Sequence, residues 1–120
     1  MNIGFAIKTI RKKSNLSQGE LAKKCRISQT SLSQIENGVK KPRTQTFNKL
    51  CQVLDVPESV VYILAMEATD VPAHRKMVYD LLFPSITAMA LQIVGPQYVD
   101  FTTIPAEKMV PNLQELEVLN

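Results

Sequence analysis

The chain has 120 residues, of which 45% are apolar, so it is long enough for one domain with a buried core and a short extension. Its longest apolar stretch, residues 81–94, contains Pro84, Ser85 and Thr87 and is shorter than the ~20 residues of a membrane-spanning helix. Two cysteines and one histidine, none at zinc-finger spacing, disfavour a disulfide scaffold, a metal site and most general-base chemistry. We therefore expect a cytoplasmic protein without a cofactor that is not an enzyme.

Charge divides the chain into two unlike parts. Residues 1–66 carry 11 Lys and Arg against 4 Asp and Glu, whereas residues 67–120 carry 3 against 7. A basic front segment favours a polyanionic partner for that segment alone, although a solvated basic surface has the same composition. Composition does not decide between the two, so the order of the residues must.

The first 66 residues are predicted to form five helices. Isoleucines at helical spacing predict helix one over 3–13. A capping-box pattern at Ser17 and Glu20 predicts the start of helix two, which ends near Arg26. Ser28 is the predicted cap of helix three.

The remaining predicted boundaries follow from caps and prolines. Helix three continues to about Asn37 and stops at Gly38. Thr44 is the predicted cap of helix four, whose apolar residues recur at i, i+3, i+4 and i+7. Pro57 suits the start of helix five, over about 58–67. Because no alternating apolar run is long enough for a strand, we expect an all-α fold.

Helix three carries the polar pattern that bears on function. One side of it presents short uncharged hydrogen-bonding groups: Gln29, Thr30, Ser33, Gln34 and Asn37. Solvated helix faces are usually filled by Glu, Lys and Arg, which are better helix formers, whereas amides and hydroxyls match the edges of DNA bases. Cations flank the stripe on both sides: Arg11, Lys12, Lys13, Lys40, Lys41 and Arg43. This layout is typical of a protein that reads the major groove.

Several strings of residues carry a family resemblance: Leu16-Ser17-Gln18-Gly19-Glu20-Leu21-Ala22, Ile27-Ser28-Gln29, Ile35-Glu36-Asn37-Gly38, Lys41-Pro42 and Leu50 with Leu54-Asp55-Val56. Residues 3–64 thereby resemble the lambda-repressor-like (Cro/repressor, XRE-type) helix-turn-helix family. The resemblance implies a five-helix lambda-repressor-like helix-turn-helix domain over 1–66. It also implies a transcriptional regulator, a repressor, that binds specific sequences of double-stranded DNA with helix three.

The resemblance further implies roles for individual residues. The base-reading residues are Gln29, Thr30, Ser33 and Gln34. The resemblance implies phosphate binding by Gln18, Lys40, Lys41 and Arg43. Ser28, a predicted cap whose helix start can also meet a phosphate, and Lys12, a flanking cation, complete the predicted phosphate-binding set. Gln18 is also expected to brace Gln29, and Arg11 is expected to pair with Glu36. Arg26 stands in the turn where the family usually has Gly, so it is expected to adopt a positive φ at a cost of roughly 1 kcal/mol.

Residues 67–94 are predicted to form a helical extension, in which a linker leads to a helix over about 73–94, kinked or restarted at Pro84. The face of this helix is too apolar to be left exposed to water. It packs either against a second copy in a homodimer, which we prefer, or on helix five of the same chain. Residues 95–120 are expected to form a tail that is extended or partly disordered, with a short helix over 111–119 as one alternative.

A second function is kept as an alternative. In an antitoxin-type regulator, residues 67–120 would bind a partner protein and DNA binding would serve autoregulation. The remaining chemistry-bearing residues receive plain interpretations: Cys25 and Cys51 are expected in the core, and His74 on the surface at the start of a helix.

Overall fold

A computed structural model of the protein describes residues 1–95. These residues form six α-helices and no strand: α1 (Ile3–Lys13), α2 (Gln18–Cys25), α3 (Gln29–Glu36), α4 (Thr44–Leu54), α5 (Glu58–Ala65) and α6 (Lys76–Leu91). Two short 3-10 turns, Ala68–Asp70 and Ala73–Arg75, connect α5 to α6. The all-α prediction is confirmed. The extended tail and the short helix predicted beyond residue 95 lie outside the described residues.

The core is built from the inward sides of the first five helices. α1 lies across α5 and α3, and α2 packs against both α3 and α4. The largest side chains that are fully enclosed are Ile7, Ile10, Leu21, Leu32, Ile35, Leu50 and Val61. Cys25 and Cys51 are buried in this core, as predicted. Burial raises the pKa of the Cys51 thiol to about 11, so this thiol is unreactive at neutral pH.

Predicted boundaries of α4, α5 and α6 differ from the structure, and α6 ends at Leu91, three residues before the predicted end. Thr44 is not a cap: Arg43 has the extended backbone of the N-cap residue, α4 has no side-chain cap, and Thr44 is already helical. α5 ends at Ala65, two residues before the predicted end. α6 begins at Lys76, after a 3-10 turn that contains the exposed His74. The helix does not restart at Pro84 but continues through it, because a proline removes one hydrogen bond and its neighbours keep theirs.

Gly4 of α1 lies directly against the backbone of α3. A Cβ atom at residue 4 would overlap the carbonyl oxygen of Ile35 and lie 2.9 Å from that of Glu36. Both obstacles are backbone atoms, which cannot turn aside. At Gly19 in α2, by contrast, a Cβ atom would meet only the flexible Gln29 side chain, with Oε1 3.4 Å away.

We therefore predict opposite results for two alanine substitutions in helices. Gly4→Ala should lower the free energy of unfolding by about 1–3 kcal/mol, since α1 must move away from α3. Gly19→Ala, the matched control, should be neutral or stabilising by up to about 1 kcal/mol, since alanine is the better helix former. Urea unfolding followed by circular dichroism measures both. Equal effects at the two positions would contradict the steric argument.

The inner side of α6 packs on the domain that precedes it. Ala90 of α6 and Val94, which follows the helix, are 5% and 3% exposed and belong to the same core as α1–α5. The Tyr79 hydroxyl donates to the carbonyl oxygen of Met66 (3.3 Å), and the Tyr79 ring stacks on Phe83 with centroids 4.6 Å apart. The extension thus folds back onto its own chain along one side.

The rest of α6 remains uncovered within residues 1–95. Seven apolar side chains of the extension are 44–82% exposed: Met77, Val78, Leu81, Leu82, Ile86, Met89 and Ile93. Contiguous apolar patches larger than a few hundred Å² are rare on monomers and mark interaction sites. None of the helices in the described part of the chain is long and apolar enough to span a bilayer.

Candidate nucleic-acid interface

Two short helices and the turn between them place α3 on the surface. Ser17 and Glu20 form the predicted capping box at the start of α2: the Glu20 N–H donates to Ser17 Oγ (3.0 Å) and the Ser17 N–H donates to Glu20 Oε1 (3.3 Å). These hydrogen bonds lower the pKa of the exposed Glu20 carboxyl. Arg26 ends α2 with φ 58°, the left-handed backbone that was expected. Ser28 then caps α3 by accepting from the Ser31 N–H (3.0 Å).

The outward side of α3 gathers the predicted base-reading residues on one surface. Leu32 and Ile35 point into the core, and the uncharged stripe points to solvent. Gln29, Thr30 and Gln34 are exposed and Ser33 is half-buried. All four line a shallow cleft of about 350 Å³, together with Gln18 of α2. The side-chain amide of Asn37 donates to Ser33 Oγ (3.4 Å) at the end of the same stripe.

A buried ion pair anchors the end of α3. Arg11 donates from Nε to Glu36 Oε2 (2.8 Å) and from Nη2 to Oε1 (3.0 Å), while its Nη1 donates to the carbonyl oxygen of Leu16 (2.9 Å). The pairing of Arg11 with Glu36 is the one that the resemblance implied. Because Arg11 belongs to α1 and Leu16 precedes α2, one guanidinium fixes three segments relative to each other. This is a bidentate pair with a third hydrogen bond, the strongest geometry for such a contact.

Gln18 does not form one of its two predicted contacts, the brace to Gln29. Its side-chain amide donates to Glu36 Oε1 (3.3 Å), so it joins the buried pair instead of bracing Gln29 through a hydrogen bond. Gln29 leans on the neighbouring turn of α2, where Gly19 leaves room for its Oε1. Gln18 is half-buried and lines the cleft over α3, so the same side chain touches the anchor and faces the outward surface.

The predicted phosphate-binding cations are exposed. Lys40 donates from Nζ to Ser31 Oγ (3.3 Å), which places the loop after α3 beside that helix. The loop itself is held by Gln34, whose carbonyl oxygen accepts from the N–H groups of Val39 (2.9 Å) and Lys40 (3.2 Å). Lys41 and Arg43 follow in the same loop, and Lys12 lies on the last turn of α1. None of these four cations forms an ion pair within residues 1–95.

Comparison with known proteins decides the family. A helix-turn-helix family model matches residues 7–61. The ImmF control region 10 kDa protein of Bacillus phage phi105 is 32% identical over 68 residues, which are 57% of this chain and 76% of that protein. The chain belongs to the helix-turn-helix family. Membership places it among the DNA-binding transcription regulators, as the sequence predicted.

Two further relatives extend the match beyond the helix-turn-helix core. An uncharacterized HTH-type transcriptional regulator of Mycobacterium tuberculosis is 29% identical over 101 residues, which are 82% of this chain and 71% of that protein. The crystal structure of the clp gene regulator ClgR from Corynebacterium glutamicum superposes with a TM-score of 0.55 at 24% identity, covering 72% of this chain and 92% of that one. At this identity the structural likeness shows the fold alone.

Sequence reasoning missed two features of this helix-turn-helix surface. The hydrogen bond from Gln18 to Glu36 joins residues 18 positions apart and needs the folded positions of α2 and α3. Val39, an apolar side chain 76% exposed in the loop after α3, was not singled out. An apolar residue between Gly38 and two lysines was the only signal for it. No group of His, Cys, Asp and Glu in the described part of the chain could hold a metal ion.

Proposed function

We propose that this regulator binds specific sequences of double-stranded DNA by inserting α3 into the major groove. The observation that carries the proposal is the outward stripe of α3, whose amides and hydroxyls are exposed, uncharged and gathered along one cleft. Gln29, Thr30, Ser33 and Gln34 are the residues proposed to read bases, since Gln bonds adenine at two positions and Thr can contact a thymine methyl group.

The surrounding groups are proposed to hold the DNA backbone. Lys40, Lys41, Arg43 and Lys12 are exposed and form no ion pair with any of the described residues, so none of those contacts must break before they neutralise phosphates. Gln18 and Ser28 stand at or next to the starts of α2 and α3, where free backbone N–H groups favour anions. The division between neutral reading groups and cationic flanks matches the separate tasks of specificity and positioning.

We further propose that the regulator acts as a homodimeric repressor through α6. Met77 and Leu81 are 82% and 75% exposed on the outward side of this helix. Ser85 and Ala88 follow on the same side of the helix, and such small residues allow two helices to approach closely. A symmetric pair would present two copies of α3 to half-sites about 34 Å apart. Occupying such a site would exclude other proteins from the same stretch of DNA.

Selection of binding sites from random duplexes, followed by sizing of the complex, tests this function. We expect an enriched palindromic sequence and a complex of two chains on one duplex. Enrichment of no sequence would contradict base reading, and one chain on a non-palindromic site would contradict the homodimer. Capture of a second protein species by residues 67–120 would favour the antitoxin-type alternative.

A charge on the outward side of α6 should separate the subunits. Leu81→Asp should convert the dimer to a monomer, because two carboxylates would be buried without partners in a symmetric contact. Phe5→Asp is the matched control, since Phe5 is an apolar residue of α1 that is also exposed, at 57%. Sedimentation velocity measures the mass of each variant. A dimeric Leu81→Asp variant, or an equal decrease in mass in the control, would place the contact elsewhere.

A further inference from the structure

An apolar groove separates α6 from the end of α5. It has a volume of 390 Å³, within the range of small-molecule sites, which is about 300–1,000 Å³. The end of α5 and the connector form one wall, and α6 forms the other. Apolar side chains dominate both walls: Ile63, Met66 and Val71 on the first, and Val78, Leu82 and Ile86 on the second. Tyr79 also lines the groove, but its hydroxyl already donates a hydrogen bond to the carbonyl oxygen of Met66.

Arg75 is the single charged residue in the lining of this groove. It ends the 3-10 turn Ala73–Arg75, directly before α6, and its side chain is exposed. No carboxylate within residues 1–95 forms an ion pair with it. An apolar cleft with one unpaired guanidinium complements a molecule that has an apolar body and one anionic end.

The groove is distinct from the surface proposed to join two chains. At 100° per residue, Val78, Leu82 and Ile86 lie on the sector of α6 that faces the groove, while Met77 and Leu81 lie on the neighbouring outward sector. The groove residues are 44–48% exposed, whereas Met77 and Leu81 are 75–82% exposed. A second helix is about 10–12 Å across with its side chains, which is too wide to enter a cleft of 390 Å³. The outward sector, which is open, can accommodate such a helix.

We propose that this groove binds a small amphipathic monocarboxylate, with its apolar body between α5 and α6 and its carboxylate on Arg75. The molecule would touch both the domain and the extension, so its binding would fix α6 relative to α5. In a regulator that dimerises through α6, this fixes the spacing of the two reading helices and makes the ligand an effector. Only this regulatory consequence rests on the proposed function, because binding of the carboxylate does not require DNA.

Straight-chain fatty acids below their micellar concentrations test the site directly. Octanoate, decanoate and dodecanoate are titrated into the full chain without DNA, and binding is followed by calorimetry. We expect one molecule per chain and about fourfold tighter binding for each added methylene until the groove is filled. Binding that is absent, that does not saturate, or that is independent of chain length would overturn the proposal.

Variants at the anionic end separate this site from nonspecific apolar binding. Arg75→Gln should weaken decanoate binding about fivefold, within the range for one exposed charge pair, and should remove its dependence on salt. Lys76→Gln is the matched control, a neighbouring cation that does not line the groove. Equal effects of the two variants would overturn the role of Arg75. If Leu82→Ser dissociates the dimer and wild type binds no decanoate, the groove belongs to the contact between chains. The proposal of a carboxylate site then fails, even if the protein still binds DNA as proposed.

Discussion

Replacing Arg11 with alanine is expected to lower the free energy of unfolding by about 3–5 kcal/mol. The Arg11 and Glu36 side chains are only 9% and 1% exposed, and their atoms meet at 2.8 Å. Removing the guanidinium leaves the Glu36 carboxylate buried with a single remaining donor among residues 1–95, the amide of Gln18. Domains of this size have a total stability of only about 5–15 kcal/mol, so the variant should lose a large fraction of its stability.

The same ion pair is not expected to be the main source of stability. Taking two charges out of water is costly, and buried pairs replaced by apolar residues of similar size are often equally stable. The double variant Arg11→Met with Glu36→Leu should therefore recover most of the stability that Arg11→Ala loses. Urea unfolding of Arg11→Met, Glu36→Leu and the double variant measures the recovered stability. Arg26→Ala, at an exposed arginine, is the control for removal of an arginine. A double variant less stable than both singles would contradict the argument.

The function of the pair is therefore geometric. It ties α1 to the end of α3 and, through Leu16, to the segment before α2. A fully apolar replacement can restore the stability but lacks the directional bonds that set the angle of α3. We accordingly expect the double variant to fold and to bind its DNA site more weakly than wild type.

Local signals explain why α1, α2 and α3 were predictable. Ser17 and Ser28 cap the helices that follow them, and cap geometry involves residues only three apart. The left-handed backbone at Arg26 was expected from the family resemblance alone, because the family usually has Gly at this position of the turn. Thr44 failed as a cap because Arg43, after Pro42, already had the extended backbone of an N-cap residue.

The orientation of α6 was not predictable from periodicity. Apolar residues surround most of this helix, so the pattern does not say which side is buried. Only the folded domain shows that Ala90 and Val94 enter the core while Met77 and Leu81 stay outside. The structure shows packing on the same chain for one side of the helix, and pairing with a second copy is the proposal for another side.

The candidate site shows the same division between local and tertiary information. The spacing of Gln29, Thr30, Ser33 and Gln34 along one helix was enough to predict that they share a face. In the structure these four side chains line the same cleft. Whether Gln18 meets Gln29 or Glu36 depends on how two helices cross, and the distance of 3.3 Å to Glu36 appears only in three dimensions.

Base preference should depend on the amide of Gln34 and general affinity on Lys41. Gln34 is exposed, and its side chain contacts no hydrogen-bonding partner in residues 1–95. Gln34→Ala should therefore cost about 1–3 kcal/mol per half-site on the selected duplex, and little on unrelated duplexes. Gln52→Ala, an exposed glutamine on α4, is the matched control and should change neither affinity.

Salt dependence separates the contribution of the lysine from that of the amide. A dimer that neutralises about six phosphates should lose affinity with a log–log salt slope of roughly −5. Lys41→Ala should weaken binding to every duplex alike and make that slope shallower by about 1 for each phosphate that is no longer neutralised. Gln34→Ala should leave the slope unchanged, since an amide releases no counterions. If Gln34→Ala weakens selected and unrelated duplexes equally, α3 is not the reading helix, even when Lys41→Ala behaves as expected.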